Sequence, residues 1–209
     1  ATSWQVKTAG DIDEDGVADL IWQNAAGQVV CWFMNSNGTM KSSASVSTAA
    51  TTWQVKAAGD IDEDGTADLA WQNAAGQVVC WFMNSNGTRK SSAYLYASAT
   101  AWTIKAAGDI DEDGVADLVW QNAAGQVVYW LMNSNGTRKS SAYLYASATA
   151  WQVKATGDAD LYDSTYNCFP IPNDLSPANV NCLDIPVNHF GNQDVRSTGE
   201  RYAGLWSLS

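Results

Sequence analysis

Histidine is almost missing from this chain: one residue, His189, in 209. No Ser/His/Asp or Cys/His constellation is built by the spacing, and a lone loop histidine is usually a solvated one. Catalysis is therefore not expected. Basic residues are also scarce, 11 against 22 acidic ones, for a net charge of −11. That balance argues against nucleic acid as a partner, because phosphate recognition needs lysine and arginine. Charged residues make up 16% of the chain and hydrophobic ones 46%, which excludes a disordered polyelectrolyte and allows a core. No apolar run approaches the roughly 18 residues of a membrane span; the stretch "VVCWFM" at 29–34 is typical of the longest. The beginning, "ATSWQVK", has neither the charged nor the apolar region of a signal peptide. The expectation is a cytosolic protein or an already processed secreted one.

What the chain has is a repeat. Trp4, Trp53, Trp102 and Trp151 stand 49 residues apart. The unit at 53–101 and the unit at 102–150 differ at six positions, and the unit at 4–52 follows the same pattern with drift in its last quarter. A period of 40 to 50 residues suggests a β-propeller or a solenoid. Within a unit the signals are β. "WQVK" alternates, and "ADLIWQN" closes on the turn "NAAG" at 24–27. "QVVCWFM" is apolar on both faces and leads to Asn37-Gly38, and "KSSAYLYASA" is a fourth strand. Four antiparallel strands make one propeller blade. The expected fold is all-β: a propeller-like array of three full blades and a partial fourth over residues 1–160. Residues 161–209 are an insertion followed by a C-terminal strand that completes or caps that blade. Trp22, Trp32, Trp71, Trp81, Trp120 and Trp130 are expected in the core between blades.

The acidity is local. Asp11, Asp13, Glu14, Asp15 and Asp19 recur 49 and 98 residues on, so 15 of the 22 acidic residues lie in three short loops. Asp11-x-Asp13-x-Asp15-Gly16-x-x-Asp19 places carboxylates at loop positions 1, 3, 5 and 9, with the Val17 carbonyl available at 7 and a glycine for the sharp turn. Hard divalent cations use such oxygen sets, and calcium suits the loose geometry better than magnesium. With no sulfur or imidazole at hand, zinc and copper are poor candidates. Position 12 is Trp22 rather than the bidentate glutamate of an EF-hand. Glu14, at position 4, is expected to point outward to solvent.

"GDIDEDGVADLIWQN…GQVVCWFMN" resembles the FG-GAP/VCBS-type repeat of integrin α-subunit propellers and of many bacterial extracellular proteins. The resemblance covers residues 4–150 and, in part, 151–160. It implies that the aspartate loop joins the first two strands of each blade and binds calcium. The implied ligands are Asp11, Asp13, Asp15, Val17 (carbonyl) and Asp19; Asp60, Asp62, Asp64, Thr66 (carbonyl) and Asp68; and Asp109, Asp111, Asp113, Val115 (carbonyl) and Asp117. About three Ca2+ ions follow. In the fourth unit Asp158 and Asp160 keep positions 1 and 3, Tyr162 replaces the third aspartate, and Asp163 would have to reach in through a bulged loop. The repeat itself serves adhesion, sugar binding and scaffolding, so it does not choose between them.

Cys168 and Cys182 lie in a polar, proline-containing stretch, and a disulfide between them would close a 15-residue loop. Such a staple is worth about 3 kcal/mol in the chain-entropy model and implies an oxidising compartment. Cys31 and Cys80 occupy the same position in neighbouring units, inside an apolar strand, and read as buried thiols. The functional expectation is a secreted, calcium-binding structural or adhesive module at the cell surface or outside the cell. It would self-associate into a dimer or filament through raw blade faces and the strand at 201–209. The alternative is a propeller-type lectin for a glycan or cell-surface ligand. Tyr94, Tyr96, Tyr143 and Tyr145 are its candidate stacking platforms, although Tyr94 and Tyr96 are expected on one face of an outer strand, where packing is the simpler use. The first unit has Ser45 and Ser47 there. Asn37, Asn86 and Asn135 match the glycosylation sequon, but the Asn-Gly turns account for them.

Overall fold

The structure is a computed structural model that describes residues 3–154. Asp158, Asp160, Asp163, Cys168, Cys182 and His189 lie outside the described residues, as does all of 161–209. Among the described residues every regular element is a strand, and no helix is long and apolar enough to cross a membrane.

Each unit folds into one four-stranded antiparallel meander. The first sheet holds β1 (Trp4–Gly10), β2 (Asp19–Asn24), β3 (Val29–Met34) and β4 (Met40–Ser47). The second holds β5 (Gln54–Gly59), β6 (Asp68–Gln72), β7 (Val78–Met83) and β8 (Arg89–Tyr96). The third holds β9 (Thr103–Gly108), β10 (Asp117–Gln121), β11 (Val127–Met132) and β12 (Arg138–Tyr145). In all three, sequence order is spatial order. The turns are the expected ones. Asn24 accepts the N–H of Gly27 on its backbone carbonyl, and its side-chain oxygen takes the N–H groups of Ala26 and Gln28. Gly76, in the same turn of the second unit, has φ +85°, and a Cβ there would lie 2.1 Å from the carbonyl oxygen of Thr100. Only glycine meets both demands.

The sheets bury their faces against one another. Ile21, Val29 and Cys31 of the first sheet share a core with Val55, Leu69 and Trp71 of the second. The opposite face of the second, through Ala57, Ala70 and Val78, packs on Ile104, Leu118 and Trp120 of the third. Trp71 and Trp120 are 1% exposed, as a core role requires, but Trp32 is 36% exposed because, among the described residues, no sheet covers the outer face of the first unit. Cys31 and Cys80 are buried free thiols. Burial pushes the Cys31 thiol up to about 12, and the Cys80 thiol is raised for the same reason.

Two features were not legible in the repeat. A buried glutamine stitches each sheet to the segment that follows it: Gln23 donates Nε2–H to the carbonyl of Trp53 and accepts the N–H of Val55. Gln72 does the same with Trp102 and Ile104, and Gln121 with Trp151 and Val153. The second feature is the bulges. The register of β7 with β8 pairs Val79 with Tyr94 and Val78 with Tyr96, leaving Leu95 extra. Tyr94 and Tyr96 therefore face opposite sides, contrary to the expectation of one shared face. Tyr94 meets Trp53 edge-on at 6.4 Å, while Tyr96 meets Trp130 at 5.6 Å. A one-residue bulge inverts side-chain alternation, which is why the spacing of two misled.

Candidate metal centres

Each aspartate loop runs from the end of a sheet's first strand to the start of its second. The loop's own hydrogen bonds shape it. Asp11 Oδ1 accepts the N–H of Asp15 at 3.2 Å and Oδ2 that of Gly16 at 2.8 Å, and Asp15 Oδ1 accepts the N–H of Val17 at 3.0 Å. Asp60, Asp64 and Thr66 repeat this pattern in the second loop, and Asp109, Asp113 and Val115 in the third. Gly16, Gly65 and Gly114 all have positive φ. So do Glu14, Glu63 and Glu112, at 60°, 55° and 58°. Side chains other than glycine seldom adopt that region, and each instance costs about 1–2 kcal/mol.

The last aspartate of each loop is the anchor. Asp19, Asp68 and Asp117 are fully buried. Asp68 Oδ2 accepts the N–H of Ile61 at 3.1 Å and Oδ1 that of Met83 at 2.9 Å, so one carboxylate ties the loop to both β6 and β7. Burial pushes Asp68 up to about 7 and Asp117 up to about 6, against the opposing pull of these N–H groups.

The carboxylates converge. One oxygen from each of Asp11, Asp13 and Asp15 lies within 4.8 Å of the others, and the same holds for Asp60, Asp62 and Asp68 and for Asp109, Asp111 and Asp117. A single atom in each loop decides what this convergence can do. Asp13 Oδ1, Asp62 Oδ1 and Asp111 Oδ1 are buried and accept no hydrogen bond. A buried carboxylate oxygen without a partner is costly. A hard cation among the carboxylates would satisfy it, and the all-oxygen donor set fits such an ion. These three clusters could hold metal ions.

A lysine, which the spacing did not reveal, sits on each cluster. Lys41 Nζ donates to Asp13 Oδ2 and Asp15 Oδ2, both at 2.8 Å. Lys90 spans Asp62 and Asp64, and Lys139 spans Asp111 and Asp113. All three lysines occupy bulges, as in β4, where Phe33 pairs with Ser42 and Met34 with Met40 so that Lys41 is extra. The Lys41 ammonium holds Asp15 below the usual carboxylate range. For Asp64 and Asp113, the lysine and a backbone N–H outweigh the raising effect of burial.

Nor does every position-4 glutamate simply face water. Glu14 is exposed, but its Oε1 accepts the hydroxyl of Thr66 in the next loop at 2.8 Å. Successive loops are also joined through the main chain. The Ala67 N–H donates to the Asp11 carbonyl at 2.7 Å, and the Ala116 N–H to the Asp60 carbonyl at 2.6 Å.

No curated relative matches the chain. A family model for the FG-GAP-like repeat matches residues 11–71 and again 60–120, together more than half of the 209 residues. Each match runs from the first aspartate of one loop to the tryptophan of the next sheet's second strand, Trp71 or Trp120, so it takes in both the loop and the packing of one sheet on the next. The chain belongs to the FG-GAP-like repeat family.

Proposed function

We propose that this protein is an extracellular calcium-binding module whose sheets are successive blades of a β-propeller-like array, with a structural or adhesive role. One observation carries the calcium reading: the buried, partnerless oxygen of Asp13, Asp62 and Asp111, one in each of three convergent carboxylate sets. Asp11, Asp13, Asp15 and Asp19, and their counterparts in the other loops, would hold the ion together with the carbonyls of Val17, Thr66 and Val115. Bound calcium would neutralise carboxylates that otherwise repel one another and would cross-link each loop to its strands. Affinity in the weak extracellular range, about 10⁻⁴–10⁻³ M, is expected. Thermal unfolding of the full chain with EDTA and with millimolar calcium tests this. A higher midpoint in calcium is expected, and equal midpoints would refute the reading.

Assembly is the second part of the proposal. Trp4 and Val6 are 40% and 48% exposed on the outer face of the first sheet. The counterpart of Val6 in the second sheet, Val55, is 2% exposed because the first sheet covers it. On the far face of the third sheet the equivalents of the covering residues, Val127 and Val119, are already buried beside Tyr145 and Val153. It is therefore the outer face of the first sheet that would dock a second copy, giving a closed dimer or a filament. Light scattering after size exclusion distinguishes these from a monomer of 22.4 kDa.

A lectin is the second reading, favoured by a cavity of about 280 Å³ between the second and third sheets. Tyr96, Trp102, Trp130 and Tyr143 line it beside Arg138 and Trp120, and the buried Trp120 Nε1–H has no acceptor. Aromatic faces with a few polar groups suit a sugar ring. The first junction has Ser47 in place of Tyr96. Binding on a glycan array, abolished by Tyr143→Ala, would favour this reading over a purely structural role.

A further inference from the structure

The basic residues of the described chain divide into three groups. Lys41, Lys90 and Lys139 bridge aspartates. Arg89 and Arg138 lie over Trp81 and Trp130, each 4.7 Å from the ring centre. What remains is a single series at the repeat spacing: Lys7, Lys56, Lys105 and Lys154. Among the described residues none of these pairs with a carboxylate. Lys7 donates to Gln5 at 3.1 Å and Lys105 to Gln152 at 3.5 Å, while Lys56 donates to no described residue.

Their placement is specific. Lys7 is the extra residue where Val6 pairs with Trp22 and Thr8 with Ile21. Lys56 and Lys105 are the extra residues at the same point of β5 and β9. A bulge re-aims the side chain it carries, and here it does so three times in register. The strands that carry the bulges are neighbours, β1 against β5 and β5 against β9. Lys7, Lys56 and Lys105 are all half-buried, so like charges are gathered on one side of an acidic protein where water screens them poorly. Burial, and then the nearness of Lys7 and Lys105, lowers the Lys56 ammonium from its ordinary value.

We propose that Lys7, Lys56 and Lys105, presented on aligned bulges of three adjacent first strands, form a binding site for a tetrahedral oxyanion, sulfate or phosphate. Each ammonium is a compact charge with three donors, and an oxyanion between them replaces repulsion with charge-assisted hydrogen bonds. The site lies outside the aspartate loops and does not depend on calcium. The test is a side-chain NMR titration of the full chain, following the lysine Cε–Hε signals in calcium-free buffer. Sodium sulfate and sodium phosphate are the two ligand arms, with sodium chloride at matched ionic strength as the reference.

Saturable shifts of Lys7, Lys56 and Lys105 in either oxyanion, with Lys41, Lys90 and Lys139 unmoved, are expected. Lys56→Gln should weaken the response of Lys7 and Lys105 about tenfold, the effect of losing one charge-assisted bond. The same substitution should raise the melting midpoint at low salt, because it removes a charge repelled from both sides. Equal shifts in chloride, or an undiminished response in Lys56→Gln, would overturn the proposal. A fall in the midpoint would also overturn it, by showing that the ammonium stabilises the fold directly.

Discussion

Asp68→Ala removes the most deeply buried carboxylate of the second loop. Its two oxygens accept the N–H groups of Ile61 and Met83, and the side chain is fully buried. Without it two main-chain donors are left in the interior. A hydrogen bond to a charged acceptor contributes about 1.5–3 kcal/mol, so the pair is worth about 3–6 kcal/mol. Against this stands the cost of burying the carboxylate itself, which is what raises its pKa to about 7. A net loss of about 2–4 kcal/mol in calcium-free buffer is the reasoned result. At about 2–4 °C per kcal/mol for a chain of this size, the melting midpoint should fall by roughly 4–16 °C. Thermal unfolding followed by circular dichroism and tryptophan fluorescence reads both sheet and core. Asp68→Asn should lie between the two proteins, because the amide keeps one acceptor oxygen for one of the two N–H groups. A loss below about 0.5 kcal/mol for Asp68→Ala would refute the reasoning, since water or neighbouring acceptors would then satisfy both donors. If calcium also binds there, the deficit should widen when millimolar calcium is added.

Further substitutions probe separate contacts. Lys90→Gln frees Asp62 and Asp64 of their ammonium, so it should lower the midpoint in EDTA and tighten calcium binding several-fold by calorimetry; unchanged affinity would show that lysine and ion do not compete. Gly76→Ala places a Cβ 2.1 Å from the Thr100 carbonyl at φ +85° and should cost about 2–4 kcal/mol in urea unfolding. Gly38→Ala, at φ +78° with nothing within 4 Å, should cost only about 1–2 kcal/mol. Thr66→Val copies the residue that stands at Val115 and removes the hydroxyl bonded to Glu14, for a loss of about 0.5–1.5 kcal/mol by the same assay.

How far the sequence could be read depended on the distance over which each interaction acts. The 49-residue period and the alternation inside each unit were enough to place three four-stranded meanders, because strand alternation and turn chemistry are local. The aspartate spacing was enough to bring the carboxylates of Asp60, Asp62 and Asp68 together for the same reason: one turn, punctuated by Gly65, sets their positions. The lysines were not legible. Lys41, on β4, and Asp13, in the loop between β1 and β2, lie 28 residues apart, and they meet only because a bulge between Ser42 and Met40 turns the lysine out of the alternating pattern. Period-2 reasoning assumes unbroken alternation, so it misplaces the residues at and beyond a bulge. That is the error made for Tyr94 and Tyr96, and the same blindness concealed Lys7, Lys56 and Lys105 as a group.

The contacts between repeats escaped for a different reason. Glu14 reaches Thr66, and Gln23 reaches Trp53 and Val55, across a junction that no single unit contains. A repeat copied three times offers three chances to see a local motif but none to see what one copy does to the next. Even so, a trace was present. Gln23, Gln72 and Gln121 stand unchanged at the end of an apolar strand, where a polar side chain needs a reason. Its amide supplies both a donor and an acceptor to the first strand of the next sheet, a pairing that a hydrophobic residue there could not make. Position 7 shows how such a junction can vary. The loop's own bond from its N–H to the preceding aspartate is kept at Val17, Thr66 and Val115 alike, while the bond across the junction exists only where threonine stands. The first and second loops are therefore coupled by a side-chain bond that the second and third lack. Calcium titrations of single-loop knockouts should show the stronger mutual dependence between the first pair of sites; equal dependence across both junctions would assign the coupling to the main-chain bonds of Ala67 and Ala116 instead.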